Sequence, residues 1–170
     1  LVSIRDGFAQ RGIDTKVIFL MRDPVERCLS AIRMYRRAGL SPQDLDITKP
    51  DEEVLRSYIS SRGSQLRTNY HNTLSAMDDV FAPEDIHVGA YETMFSKDEI
   101  DRLSEFLGLE AKYNFVDKHF NTTQKNIELD PKLLQDAIMA FAPVYDYCFK
   151  RYPELKPYWH DFKASGEMTP

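Results

Sequence analysis

The chain has 170 residues, of which 42% are hydrophobic, and it carries a net charge of −5. An acidic chain gains nothing from a polyanion, so this charge argues against nucleic acid and against an anionic membrane surface as partners. The longest apolar run is Val17 to Met21, which is far shorter than the roughly 20 residues that a membrane-spanning helix needs. The composition therefore predicts one globular domain over residues 1–170, with a core of its own.

The start of the chain and its cysteines bear on where the protein works. The first residue is Leu1, and Val2 to Arg11 has the character of the middle of a protein, so we expect an upstream segment that this sequence does not include. Cys28 and Cys148 lie in apolar, helix-like stretches, which favours two buried thiols over a disulfide bond. Free thiols fit a reducing compartment, and the resulting prediction is a cytoplasmic protein.

Strand and helix signals alternate along the first part of the chain. The segment Lys16 to Arg22 contains the continuous apolar run, which predicts a central strand of a parallel sheet, covered on both faces. The acid, the proline and the glutamate of Asp23–Glu26 predict the start of a helix. We expect that helix to reach about Arg37 and to end at Gly39, and a shorter helix to follow over Asp51 to Ser60.

A long apolar stripe and a second strand follow. Five residues recur at spacings of three or four and predict one amphipathic helix that ends at Pro83: Leu66, Tyr70, Leu74, Met77 and Phe81. Ile86 to Tyr91 has the composition of a second strand. The capping box of Ser96–Glu99 predicts a further helix that Gly108 closes.

The last part of the chain is predicted to be helical. Asp130 and Pro131 mark the start of a helical region, which we expect to bend at Pro143 because proline removes a backbone donor. From His160 onward the sequence is polar, and we expect it to fray. The order of strands and helices predicts an α/β fold with a parallel sheet.

Arg22 is the first candidate for function, because ligands of α/β proteins bind beyond the carboxyl ends of the strands. Its guanidinium offers a planar fork of donors to a phosphate, and Ser30, on the following helix, adds a hydroxyl. Arg27 shares a helix face with Ser30 by its three-residue spacing. The alternative is that Arg22 only ends a strand and that the arginines of the helix form a solvated surface, and spacing alone does not decide between the two.

The segment Lys16–Ser30 resembles the strand, turn and helix of the sulfotransferases that use 3′-phosphoadenosine 5′-phosphosulfate (PAPS). In that family an arginine and a serine eight residues later bind the 3′-phosphate of the donor, and the matching positions here are Arg22 and Ser30. The similarity to bacterial members covers roughly Thr15 to Leu109 and continues more weakly from Asn121 to Trp159. Its further landmarks are Gly63–Gln65, Tyr70, Leu74, Val88–Glu92 and Leu103–Gly108.

The resemblance implies a fold and a reaction. The expected fold is α/β, with a parallel sheet like that of P-loop nucleotide kinases and flanking helices. PAPS would donate a sulfuryl group to a hydroxyl or amine on a carbohydrate, a lipid or a small metabolite. The family's first strand and glycine-rich phosphate loop are not in this sequence, because Gly7 and Gly12 are isolated and stand near no lysine followed by serine or threonine. A degenerate or truncated relative that binds a nucleotide phosphate without catalysis, or serves as an interaction domain, is therefore the alternative.

The resemblance also points to weaker candidates. Lys125 lies in a polar stretch where family members have a loop that closes over the nucleotide, and it is a candidate phosphate ligand unless that loop is merely solvated. Tyr70 stands near the acceptor in the family pattern, with burial in the apolar stripe as the alternative. Met34 replaces a histidine found in one branch, so we assign no catalytic base. The histidines and cysteines lack ligand spacing, and we predict no metal.

Overall fold

The computed structural model describes residues 1–42, 45–114, 116 and 129–161. These residues form eight α-helices and two β-strands. In chain order they are α1 (Val2–Ala9), β1 (Val17–Met21), α2 (Pro24–Ala38), α3 (Asp51–Ile59), α4 (Arg62–Thr68), α5 (Tyr70–Asp78), β2 (Ile86–Ala90), α6 (Lys97–Leu107), α7 (Pro131–Ala140) and α8 (Ala142–Arg151). None of the described helices combines the length and the hydropathy that crossing a bilayer requires.

The described residues divide into two compact units. The first, here called the sheet unit, contains the chain up to Arg22 and the described residues from His71 to 116. The second, the helical unit, contains Asp23 to Tyr70 and the described residues from 129 onward. Both units are therefore built from two separate stretches of the sequence.

In the sheet unit, β1 and β2 pair in parallel. Val17 lies opposite Ile86, and this register continues for the length of both strands. The two predicted strands are thus confirmed to within a residue at their ends. The prediction that both faces of β1 are covered is wrong for the described residues, since Ile18 and Leu20 are 44% and 45% exposed. A continuous apolar run indicates what a strand can bury, but it does not supply the neighbours that would bury it.

A buried histidine–glutamate pair joins β2 to α6. His87 Nε2 lies 2.8 Å from Glu99 Oε1, and the two side chains are only 7% and 6% exposed. Arg102 Nη1 donates to the other carboxylate oxygen at 3.0 Å. Ser96 Oγ caps α6 by accepting from the Glu99 N–H, but the Glu99 side chain turns to His87 and does not complete the predicted capping box. The two partners offset the cost of burying this carboxylate.

Gly89 lies directly against this pair. A Cβ at residue 89 would stand 2.6 Å from Glu99 Oε1 and 3.0 Å from Leu20 Cδ2. Because Glu99 is held in place by its hydrogen bonds, we expect Gly89→Ala to lower the free energy of unfolding by about 1–3 kcal/mol in a urea titration. Gly7→Ala is the matched control, since it lies in α1 with no described atom within 4 Å of an added Cβ. It should be neutral or stabilise by up to about 1 kcal/mol, and equal losses in both variants would contradict this prediction.

Helices α2, α3 and α7 of the helical unit begin where the sequence predicts. Asp23 Oδ1 accepts from the N–H groups of Val25 and Glu26, at 2.9 and 3.0 Å, and so caps α2. Gly39, with φ of 61°, closes that helix in a left-handed conformation that glycine tolerates well. Asp130 caps α7 in the same way. Helix α2 packs against α3, α4 and α7. These contacts determine which side of α2 is turned away from the other helices of the unit.

The predicted long helix is interrupted. Helix α4 ends at Thr68 and α5 begins at Tyr70, with Asn69 between them at φ −73° and ψ 69°. The break shifts the apolar stripe, so that Tyr70 and Leu74 are buried while Leu66 is 68% exposed. The prediction is therefore wrong for Leu66. Residues at spacings of three or four lie on one face only within a continuous helix, and here the helix is interrupted between Leu66 and Tyr70.

The last helical region is also divided, and it contains one of two buried thiols. Helix α7 ends at Ala140, and α8 begins at Ala142 with Pro143 in its first turn, close to the predicted bend. Cys28 and Cys148 are buried and are not joined by a disulfide bond, as predicted. Burial raises the pKa of both thiols, that of Cys148 to about 12, so neither is a reactive thiolate near neutral pH.

Candidate functional site

Arg22 directly follows β1, and Tyr91 directly follows β2. The strands end in register, with Met21 opposite Ala90, and the Tyr91 N–H donates to the Met21 carbonyl at 2.7 Å. The guanidinium carbon of Arg22 lies 4.4 Å from the centroid of the Tyr91 ring. A cation at this distance is attracted by the electron-rich face of the ring. The pair therefore sets a guanidinium at the carboxyl end of both strands of the sheet unit.

Helix α2 presents a second set of donors, in the helical unit. Arg27 and Ser30 are one turn apart and both are half-buried. Arg27 Nη1 and Arg33 Nε are buried and have no hydrogen-bond partner among the described residues. Charged N–H groups in such surroundings gain most from an oxyanion, which accepts strong, charge-assisted hydrogen bonds. This face of α2 thus has the chemistry to hold a phosphate or sulfate group.

Another arginine of α2 is engaged elsewhere. Arg36 donates from Nε to the Ile47 carbonyl at 3.1 Å and from Nη2 to the Lys49 carbonyl at 2.6 Å, and it pairs with Asp51 at the start of α3. Its guanidinium therefore holds the segment before α3, whereas Arg37 is exposed. The arginines of α2 are thus not equivalent, and a uniformly solvated basic surface does not describe them.

Asp23 is the centre of a hydrogen-bond cluster in the helical unit. Its Oδ2 accepts from the Tyr145 hydroxyl, the His160 backbone N–H and His160 Nδ1, each at 2.9 Å, and the residue is 1% exposed. Burial raises the pKa of the Asp23 carboxyl, but the hydrogen bonds and charge of His160, together with the Glu26 N–H, outweigh it, and the pKa lies below its ordinary value. Burial and the Asp23 charge raise the pKa of Tyr145. The prediction of a frayed chain from His160 is wrong for that residue, because Asp23 holds it.

Tyr70 is part of an aromatic cluster next to Asp23. It is 2% exposed, and its ring centroid lies 6.1 Å from that of Trp159, which is equally far from Tyr145. This burial favours core packing for Tyr70, and its contact with an acceptor stays a prediction. Lys125 and its polar stretch lie outside the described residues, so its role also stays a prediction. No group of three or more potential metal ligands is present in the described ranges.

The sequence did not identify Tyr91 as the partner of Arg22, or His160 as the partner of Asp23. Tyr91 could have been found, because it takes the same place after β2 that Arg22 takes after β1, and parallel strands in register bring such residues together. No local sequence pattern indicated the contact of His160 with Asp23. Its contact with Asp23 joins residues that are 137 positions apart.

The described residues form an α/β protein with a small parallel sheet and flanking helices, and a guanidinium lies at the carboxyl end of the two strands. The sulfotransferase domain profile matches residues 11–131, which is more than half of the chain. The chain therefore belongs to the sulfotransferase family, whose members transfer sulfuryl groups. The family membership inferred from Lys16–Ser30 is thereby confirmed. A comparison with curated proteins found no match.

Proposed function

We propose that this protein transfers a sulfuryl group from PAPS to a hydroxyl or amine acceptor on a carbohydrate, a lipid or a small metabolite. The observation that carries the proposal is the Arg22 guanidinium at the strand ends of a chain from the sulfotransferase family. In this proposal PAPS supplies the activated sulfuryl group, and Arg22 and Ser30 hold its 3′-phosphate. The buried thiols Cys28 and Cys148, which are not joined by a disulfide bond, support a cytoplasmic location in this proposal.

The proposed residues have distinct tasks. Arg22 offers two parallel N–H groups to two phosphate oxygens, which fixes both the position and the orientation of that phosphate. The Ser30 hydroxyl donates a further hydrogen bond, and Arg27 adds positive charge one turn earlier on α2, where its Nη1 has no partner among the described residues. Lys125 is proposed as a further phosphate ligand, and Tyr70 as an acceptor contact. Binding energy gained at the 3′-phosphate, remote from the sulfur, orients the sulfuryl group for in-line attack by the acceptor.

Ser30→Ala tests the helix side of this proposal. Loss of one hydroxyl donor should weaken the binding of adenosine 3′,5′-bisphosphate by about 5–30-fold, equivalent to about 1–2 kcal/mol. Binding of adenosine 5′-monophosphate, which has no 3′-phosphate, should change less than about two-fold. Isothermal titration calorimetry measures both affinities. Ser57→Ala, an exposed helical serine of α3, is the matched control and should bind like the wild type.

The reaction itself is tested by incubating the protein with PAPS and a panel of hydroxyl and amine acceptors. Sulfated product and adenosine 3′,5′-bisphosphate should form together in equal amounts. Tight binding of the bisphosphate with no sulfated product from any acceptor would favour the non-catalytic alternative. Failure to bind either PAPS or the bisphosphate would refute the proposal altogether.

A further inference from the structure

We propose that His160 is a catalytic residue, the general base that removes the proton from the acceptor hydroxyl or amine during sulfuryl transfer. This inference rests on the proposed function, and it supplies the base that the sequence left unassigned. The carrying observation is the 2.9 Å hydrogen bond between His160 Nδ1 and the buried carboxylate of Asp23.

The carboxylate determines which nitrogen of the ring accepts a proton. The pKa of Asp23 lies below its ordinary value, so its Oδ2 is ionised near neutral pH and only accepts hydrogen bonds. His160 Nδ1 must therefore carry the hydrogen, and in the neutral ring Nε2 then has the lone pair of a base. The His160 backbone N–H donates to the same oxygen at 2.9 Å. The ring is thus held in the tautomer and the orientation that a general base needs.

Asp23 also stabilises the cation that His160 becomes when it takes up a proton. The carboxylate is 1% exposed, so water screens its attraction for the imidazolium only weakly. Tyr145 shares Oδ2 and keeps its proton near neutral pH, because burial and the Asp23 charge raise its pKa. Of the three titratable groups that meet at this oxygen, His160 is therefore the one suited to exchange a proton near neutral pH.

The exposure of His160 separates it from a purely structural histidine. His87 also pairs with a carboxylate, at 2.8 Å from Glu99, but its side chain is only 7% exposed. The side chain of His160 is 30% exposed, whereas its anchor Asp23 is 1% exposed. A base has to reach its substrate while the group that orients it stays fixed. Of these two pairs, the one at His160 meets both conditions.

Asp23 connects this base to the helix that carries the proposed donor ligands. It caps the start of α2, and Ser30 lies on the same helix, about 10 Å further along its axis at about 1.5 Å per residue. A donor held by its 3′-phosphate requires a base that stands away from that phosphate, because the reacting sulfur is remote from it. Within the helical unit, the position of Asp23 and His160 at the start of α2 satisfies this requirement.

The proposed step conserves every bond and charge. A lone pair of the acceptor oxygen or nitrogen attacks the sulfur of PAPS and forms the new bond. The bond between the sulfur and the bridging oxygen of the 5′-phosphate breaks, and its electron pair leaves with adenosine 3′,5′-bisphosphate. His160 Nε2 takes the acceptor proton, and the resulting imidazolium later returns that proton to solvent.

The test compares His160→Asn with the wild type. The amide of asparagine can still donate to Asp23 from about the place of Nδ1, but it does not take up a proton. With PAPS and the fastest acceptor of the panel, the variant should lose about 100-fold or more in kcat. Its affinity for adenosine 3′,5′-bisphosphate should stay within about two-fold of the wild type in calorimetry, because the loss concerns the chemical step alone. The fall of kcat that protonation of the base causes at acidic pH should be absent from the variant.

Two further variants complete the comparison. His160→Gln removes the base with a longer amide, so that a folding defect of one variant, seen in a urea titration, does not decide the result. His87→Gln is the matched control, because it removes the histidine of the other histidine–carboxylate pair. It should keep the fall of kcat at acidic pH that the wild type shows.

The outcomes separate this inference from the proposed function. If kcat of the folded His160 variants stays within about three-fold of the wild type, the role of His160 is refuted and the proposed function stands. A matching loss of bisphosphate affinity, or an unchanged fall of kcat at acidic pH, would mean that His160 only anchors the chain, and this would also refute the role. A wild-type protein that forms no sulfated product from any acceptor would overturn both.

Discussion

Replacing Arg22 by alanine should weaken the binding of adenosine 3′,5′-bisphosphate by about 30-fold or more, equivalent to about 2 kcal/mol. The reason is the loss of a charged, two-pronged donor at the end of β1, which no neutral side chain replaces. Arg22→Lys should recover only part of the affinity, since an ammonium group keeps the charge but lacks the planar fork. Isothermal titration calorimetry at one fixed salt concentration measures all three proteins.

Arg37→Ala is the matched control for this experiment. Arg37 is an exposed arginine in the last turn of α2, so its removal takes away the same charge without touching the proposed site. We expect its affinity to stay within about two-fold of the wild type, as is usual for an exposed charge. Equal losses in Arg22→Ala and Arg37→Ala would mean that a general basic surface attracts the nucleotide, and the assignment of Arg22 would fail.

Asp23→Ala should be the most destabilising of the substitutions considered, with a loss of about 3 kcal/mol or more in the free energy of unfolding. The buried carboxylate accepts hydrogen bonds from the start of α2, from Tyr145 and from His160, and its removal leaves those donors without their acceptor. Asp130→Ala is a close control, because Asp130 caps α7 before a proline in the same way but is exposed. Loss of that cap alone should cost about 1 kcal/mol. Urea titrations of both variants that gave equal losses would contradict the central role of Asp23.

The same residue gives stability a defined pH dependence. The pKa of Asp23 is lower in the folded protein than its ordinary value, so the folded state favours the ionised carboxylate. This contribution is fully present above the unfolded-state pKa of about 4, and it is lost as the pH falls through the folded-state pKa. In Asp23→Asn the residue no longer titrates, so the variant should be less stable at neutral pH and should lose less on acidification. Parallel losses for wild type and variant between pH 7 and pH 3 would show that Asp23 does not contribute in this way.

Local signals in the sequence predicted both strands and the ends of those helices that carry clear capping residues. Asp23, Ser96 and Asp130 act as caps, and Gly39 and Gly108 adopt positive φ, where the sequence places them. The chemistry of a cap involves residues two or three positions apart, so it can be read without knowledge of the rest of the fold. The family resemblance was likewise carried by one continuous segment, and the candidates Arg22 and Ser30 came from it.

Contacts between distant parts of the chain were not predictable in this way. Two examples are the pairing of His87 with Glu99 and the hydrogen bond of His160 to Asp23. Both depend on which helices and strands become neighbours in the fold, and the periodicity of the sequence does not indicate this. The exposure of Ile18 and Leu20 has the same origin, since burial depends on neighbouring elements as well as on hydrophobicity. The interruption at Asn69 was missed because asparagine is tolerated inside helices, and nothing nearby marked a break.

The bond between Asp23 and His160 has a consequence for how the protein matures during translation. Asp23 leaves the ribosome before His160, which is made 137 positions later. Until then, a nascent chain would carry an ionised group at the start of α2 with only the helix N–H donors and solvent to stabilise it. This hydrogen bond can therefore form only after the whole stretch from α2 to His160 has been made, whereas the packing of α2 with α3 and α4 involves residues made much earlier.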